Sequence, residues 1–178
     1  MSTTTHLSCT CGEVRLEVTG PPIIVAECCC NSCRAAGDTF AALAGAPSFR
    51  TPYGTTPYVL ERKDRVRFVR GAEQLREFRL TPDSPTRRVV ATCCNTPMFL
   101  EFQGGHWLSM YASLWPVETR PRVDVRTMAG DLADPTVLPA DAPNLKGQSG
   151  GFFARLLWAW VAMGFRTPKV AVAGELRF

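Results

Sequence analysis

Cysteine is the residue type whose spacing could do chemistry in this chain. Eight cysteines fall into three knots: Cys9-x-Cys11, then Cys28-Cys29-Cys30-x-x-Cys33, then Cys93-Cys94 about 60 residues later. Zinc takes soft thiolates in a tetrahedral shell, and short Cys-x(1–2)-Cys spacings let two thiolates from one turn reach the same ion. A distant third or fourth ligand then pins two chain segments together. The pattern predicts one or two zinc ions, with Cys9, Cys11, Cys93, Cys94, Cys28, Cys30 and Cys33 as metal ligands.

Two flanking residues agree with this reading. Gly12 follows Cys11 and Asn95 follows Cys94. Turns that aim backbone N–H groups at sulfur need a residue comfortable at positive φ, where glycine is best and asparagine the common substitute. In an extended segment alternate side chains share a face, so Cys28 and Cys30 point together and Cys29 points away. A turn after Cys30 then brings in Cys33. The fourth position is left for water, a substrate thiol or Cys29; an open position marks a catalytic zinc and a filled one a structural zinc. The same alternation counts against Cys93 and Cys94 serving one ion unless the chain bends between them.

Other chemistries find less support. Eight cysteines in three tight knots are too ordered for core filler. The very short spacings also disfavour disulfides. The polar, Thr-rich stretch from Met1 to Leu7 carries no apolar secretory signal, which predicts a reducing, cytoplasmic setting. Only two histidines are present, His6 in the polar N-terminal stretch and His106 in a Gly-Gly turn. Either could supply a ligand or a base, but an ordinary hydrogen-bonded role is the simpler expectation. Gly147-Gln148-Ser149-Gly150-Gly151 fits Gly-x-Ser-x-Gly formally, yet it sits in a Gly-rich linker and reads as a hinge before a helix. No dinucleotide or phosphate-loop fingerprint occurs.

Composition bounds the rest. The 178 residues, 46% hydrophobic and 20% charged, suit one ordinary globular domain and exclude a disordered chain. A net charge of +4, with scattered arginines and only three lysines, predicts no nucleic-acid partner. Fourteen glycines and fourteen prolines favour short strands and loops, so the expected fold is mainly β.

The elements that must hold the cysteines follow from periodicity. Residues 13–18 alternate cleanly and predict a half-buried strand, and Ile23 to Ala26 a more buried one. Cys33 to Phe40 suits a short helix, and Ala46 to Pro57 a loop. Arg65–Val69 and Leu75–Leu80 read as two strands joined by a turn at Gly71, and Arg88–Thr92 with Met98–Phe102 as another pair. Trp107 to Ala112 and Val123 to Arg126 add further strands. Residues 1–115 are expected to form the zinc-binding β domain, and 116–178 a Pro/Gly-rich linker, a strand and an apolar helix packed on the same domain. That helix, Phe152 to Phe165, is fourteen residues and so about 21 Å long, short of the about 30 Å needed to span a membrane. It is expected to cover the sheet, with a homodimer contact as the other use of its surface.

Taken together, Ser8-Cys9-Thr10-Cys11-Gly12-Glu13-Val14-Arg15, Cys28-Cys29-Cys30-Asn31-Ser32-Cys33-Arg34 and Cys94-Asn95-Thr96-Pro97 resemble the motifs of the glutathione-dependent formaldehyde-activating enzyme and centromere protein V family. The resemblance spans Ser8 to about Leu100. It implies a β-tent of small zinc-bound sheets, a structural zinc on Cys9, Cys11 and Cys94, and a second zinc on Cys28, Cys30 and Cys33. It further implies carbon–sulfur lyase chemistry on a thiol adduct such as S-hydroxymethylglutathione, with glutathione as the small thiol partner. Three departures set this chain apart. Cys29 stands in place of the family's histidine, Ala91 in place of the first cysteine of the last pair, and Asn95 in place of a glycine.

On the enzyme reading, Cys28, Cys30 and Cys33 are the catalytic constellation, and Arg34 beside them orients an anionic substrate. On the other reading, Cys29 closes the shell, zinc only stabilises the fold, and the chain is a binding module.

Overall fold

Alternation at residues 13–18 is realised as a strand whose Leu16 and Val18 are buried while Arg15 is exposed. The structure is a computed structural model that describes residues 3–176. In chain order its elements are β1 (Thr4–Ser8), β2 (Arg15–Thr19), β3 (Ile24–Cys28), α1 (Asn31–Ala41), β4 (Thr56–Arg62), β5 (Val66–Arg70), β6 (Leu75–Phe78), β7 (Thr86–Ala91), β8 (Thr96–Phe102), β9 (Trp107–Tyr111), β10 (Val125–Thr127) and α2 (Gly150–Ala162). The fold is mainly β, with a C-terminal helix.

The strands form two sheets. The smaller has the order β1-β2-β5 and the larger β10-β3-β4-β9-β8-β7-β6. Every pairing is antiparallel except β10 on β3. The large sheet is buried on both faces. Leu16 and Val18 of the small sheet join Val25, Val59, Val89 and Met110 in one core. The alternate residues Ile24, Tyr58, Leu60, Val90, Leu100 and Tyr111 meet Phe40 of α1 and Phe152 and Leu156 of α2 in the other.

Three expectations change. Residues 65–69 and 75–80 are strands, but β5 pairs with β2 and β6 with β7, so Gly71 passes the chain from one sheet to the other instead of closing a hairpin. Gly71 has φ 73°, and a Cβ there would collide with the Glu13 carbonyl, so glycine is required. β4 carries no alternation because it is central and covered on both sides, which hides it from a period-two reading. The stretch holding His6 is β1, an edge strand with mostly exposed polar side chains.

α2 covers the sheet with one stripe only. Phe152, Leu156, Ala159 and Met163 are buried, whereas Phe153, Leu157, Trp158 and Val161 face outward. Ser149 caps the helix by accepting the Phe152 N–H at 3.1 Å, which removes the nucleophile-elbow reading. Among the described residues no helix is long and apolar enough to cross a membrane.

Candidate metal centres

The first centre is assembled from two turns. Cys9 leaves β1 and Cys11 follows in the turn to β2, where Gly12 adopts φ 77°. Cys93 and Cys94 sit in the β7–β8 turn, where Asn95 adopts φ 54°. That left-handed residue supplies the bend that strand geometry alone denied, so Cys93 and Cys94 reach the same point. The sulfurs of Cys9, Cys11, Cys93 and Cys94 all lie within 4.8 Å of one another. The resemblance assigned three of them to one ion; the structure brings in Cys93 as the fourth.

Backbone and hydroxyl groups stabilise these sulfurs as anions. The Val14 N–H donates to Cys9 Sγ at 3.3 Å, and Thr96 Oγ1 lies 3.0 Å from Cys94 Sγ. Burial pushes the Cys94 thiol up, but the Thr96 hydroxyl, the Cys11 backbone N–H and the neighbouring thiols draw it down to about 6. Burial above all raises Cys9 and Cys93. Four thiols at this spacing, one already acidic, form a donor set that fits a zinc ion.

The second centre lies where β3 hands over to α1. Cys28 ends the strand, Cys30 is the N-cap, and Cys33 lies in the first helical turn, its N–H donating to Cys30 Sγ at 3.3 Å. Their sulfurs also lie within 4.8 Å of one another. Cys29 is fully buried on the other side among Ala129 and Leu138, and burial pushes its thiol up to about 11. It therefore does not close this shell, as the binding-module reading required; the strand pleat carries it away.

The groups around Cys33 favour its thiolate. Hydrogen bonds from Cys28 and Cys30 draw its thiol down to about 2, and Arg88 and Tyr58 act in the same direction against burial. The same coupling pushes Cys28 up. Arg88 Nη2 stands 3.8 Å from Cys33 Sγ, and the Tyr58 hydroxyl donates to it at 3.7 Å. One readily ionised thiol among three is a donor set that also fits a zinc ion.

This triad borders a cavity of 560 Å³. Its lining includes Cys28, Cys30, Cys33 and Arg88, with Leu60, Trp107 and Phe152 among the apolar walls. Arg34 is not in the lining; its guanidinium reaches the Asp131 carbonyl at 3.3 Å, so Arg88 takes the place expected for Arg34. Sequence reasoning missed Arg88 because a charged residue in a strand reads as solvent-facing, whereas here it is buried against Ser32 and Cys33 of α1.

Neither histidine joins a cysteine cluster. His6 approaches Glu17 at 3.7 Å on the outer surface. His106 is buried, its Nε2 lies 2.8 Å from the Leu156 carbonyl oxygen, and its ring stacks on Trp160. It anchors α2.

Behind Cys28 and Cys29 a buried ion pair holds β10 in place. Arg126 Nε lies 2.8 Å from Glu27 Oε2, and its Nη1 lies 2.8 Å from Asp141. Thr55 also donates to Glu27.

A crystal structure of a Rhodobacter sphaeroides protein is similar at 16% identity and a TM-score of 0.47, covering 79% of this chain and 99% of that one. No curated protein matches the sequence. The family model for the glutathione-dependent formaldehyde-activating enzyme matches residues 4–114, a stretch that holds every cysteine of both clusters. With its three cysteine motifs folded into two thiol clusters, this chain belongs to the glutathione-dependent formaldehyde-activating enzyme family.

Proposed function

We propose that the chain is a zinc enzyme that forms or breaks a carbon–sulfur bond in thiol–aldehyde adducts of the S-hydroxymethylglutathione type, with Cys28, Cys30 and Cys33 as its reaction centre. The observation that carries this reading is the contrast between the clusters. Cys9, Cys11, Cys93 and Cys94 make a complete set of four thiols, whereas the second cluster has three and a 560 Å³ cavity against it. The first would be structural and the second catalytic.

In one direction a thiol S–H adds across a carbonyl. The S–C bond forms, the carbonyl π bond opens, and the thiol proton ends on the oxygen. The lyase direction reverses this, and neither needs an oxidant or reductant. A zinc ion, when bound, would supply the Lewis acidity that keeps a sulfur ionised near neutral pH. The chain's own groups would favour that charge. Arg88 and the Tyr58 hydroxyl converge on Cys33, and burial raises Tyr58 far above its ordinary range, so it remains a donor. Apolar walls keep water away from the polarised centre. Eight cysteines, all free, suit a reducing, cytoplasmic compartment.

The test pairs zinc stoichiometry with the rate at which glutathione and formaldehyde exchange with their adduct, followed by NMR. We expect Cys33→Ser to lose the catalysed exchange. An unchanged rate removes the site.

The exposed Phe153, Leu157, Trp158 and Val161 favour a second reading, a zinc-stabilised module whose α2 meets a partner or a second copy. A dimer in sedimentation that Trp158→Glu dissolves, in a protein with no adduct exchange, would decide for it.

A further inference from the structure

The cavity beside Cys33 carries two features that formaldehyde itself leaves unused. The first is its wall. Leu60, Leu100, Trp107, Phe152 and Leu156 line it, and the last two belong to α2, beyond the family-matched residues 4–114. A carbonyl the size of formaldehyde has no surface to bury against them. A ligand with an alkyl or aryl body does, and apolar burial is the largest favourable term available to it.

The second feature is Arg88. Its side chain lines the cavity at 1% exposure. Nη2 donates to Ser32 Oγ at 2.9 Å and stands 3.8 Å from Cys33 Sγ, while Nε and Nη1 have no acceptor among the described residues. No carboxylate among those residues pairs with it. Of the other buried acids of the large sheet, Glu27 is matched by Arg126 and Glu101 by Lys63 and Arg87, and Glu61 lies outside the cavity lining. A buried guanidinium short of acceptors is stabilised by an anion brought from outside. No Asp or Glu lines the cavity to receive an ammonium, so a zwitterion is less well matched than a simple acid.

We propose that this cavity binds a carboxylate with an apolar body, the carboxylate on Arg88 and the body against Trp107, Phe152 and Leu156. The substrate class is then a thiol or aldehyde bearing one carboxylate on an alkyl or aryl frame. This assignment rests on the triad being the substrate site. Phe152 and Leu156 become specificity-determining residues supplied by the C-terminal helix.

Calorimetry on the zinc-loaded full chain tests it with four probes: 3-phenylpropanoate, its amide, propanoate and glutathione. We expect 3-phenylpropanoate to bind about tenfold or more tightly than the amide, the scale of one charge-assisted contact. It should exceed propanoate by a similar factor, from burial of the ring. Arg88→Gln should erase the gap between acid and amide, and Leu156→Ala should narrow the gap to propanoate. The comparison of wild-type probes stands even if a variant fails to fold. Equal binding of acid and amide would leave Arg88 as a counter-charge to the thiols alone and overturn the proposal, as would glutathione binding more tightly than 3-phenylpropanoate. This binding pattern without adduct exchange sinks the enzyme reading and keeps the cavity assignment, whereas exchange without the pattern does the reverse.

Discussion

Thr96 Oγ1 accepts the Thr10 backbone N–H at 3.1 Å and lies 3.0 Å from the Thr10 hydroxyl, although 86 residues separate the two. This contact stitches the Cys9–Cys11 turn to the Cys93–Cys94 turn from outside the sulfurs. It holds the four-thiol cluster together without contributing a ligand.

Thr96→Val keeps the shape and removes the stitch. The Thr10 N–H then loses its acceptor, at about 1–2 kcal/mol. Thermal melting should show that loss. Chelator competition should show faster release of one ion and not of the other.

Metal content separates the cysteines. The two clusters predict two zinc ions per chain, and Cys29→Ala should keep both, because Cys29 packs with Ala129 and Leu138 instead of the triad. Cys30→Ser should lose one ion with the fold intact. Cys11→Ser should cost much of the stability, since a structural zinc contributes about 10 kcal/mol or more. Elemental analysis beside circular dichroism reads all three.

The Arg126–Glu27 pair gives a sharper stability forecast. Both side chains are nearly inaccessible, so Arg126→Met would strand a buried carboxylate at about 3–5 kcal/mol. The expected fall in Tm is about 10 °C. Adding Glu27→Gln should recover part of it, and a double variant no better than the single would remove the explanation.

Glu61 should give stability a pH slope. Burial, only partly opposed by Arg65, pushes its carboxyl up to about 8, and its Oε2 has no hydrogen-bond partner. Between the ordinary carboxylate range and 8 the folded chain holds a proton that the unfolded chain has released. Stability therefore falls as pH rises through that window and levels off above it. Denaturant unfolding from pH 6 to 8.5 should show the decline, and Glu61→Gln should flatten it. Comparison across this window keeps the thiol clusters common to both proteins.

Local patterning made much of the fold readable. Residues 13–18 alternate because β2 is half-buried, and the β7–β8 hairpin is visible because its two strands flank a turn sequence. β4 was invisible for the opposite reason: a strand covered on both faces has no polar side to mark it. The split of β5 and β6 between sheets depends on what lies beside each strand, which a turn residue such as Gly71 does not encode.

The cysteine spacing by itself determined that two thiol-rich turns and a strand-to-helix junction would exist, and the pleat alone sent Cys29 away from Cys28 and Cys30. Spacing is a local property, so it carries this much. Only the tertiary structure decided that Cys93 joins Cys94 at one point, because that depends on the left-handed Asn95 backbone. It alone also placed Arg88, Tyr58 and the inner face of α2 around Cys33. Those residues come from four distant elements, and their meeting is set by how the helices pack on the large sheet.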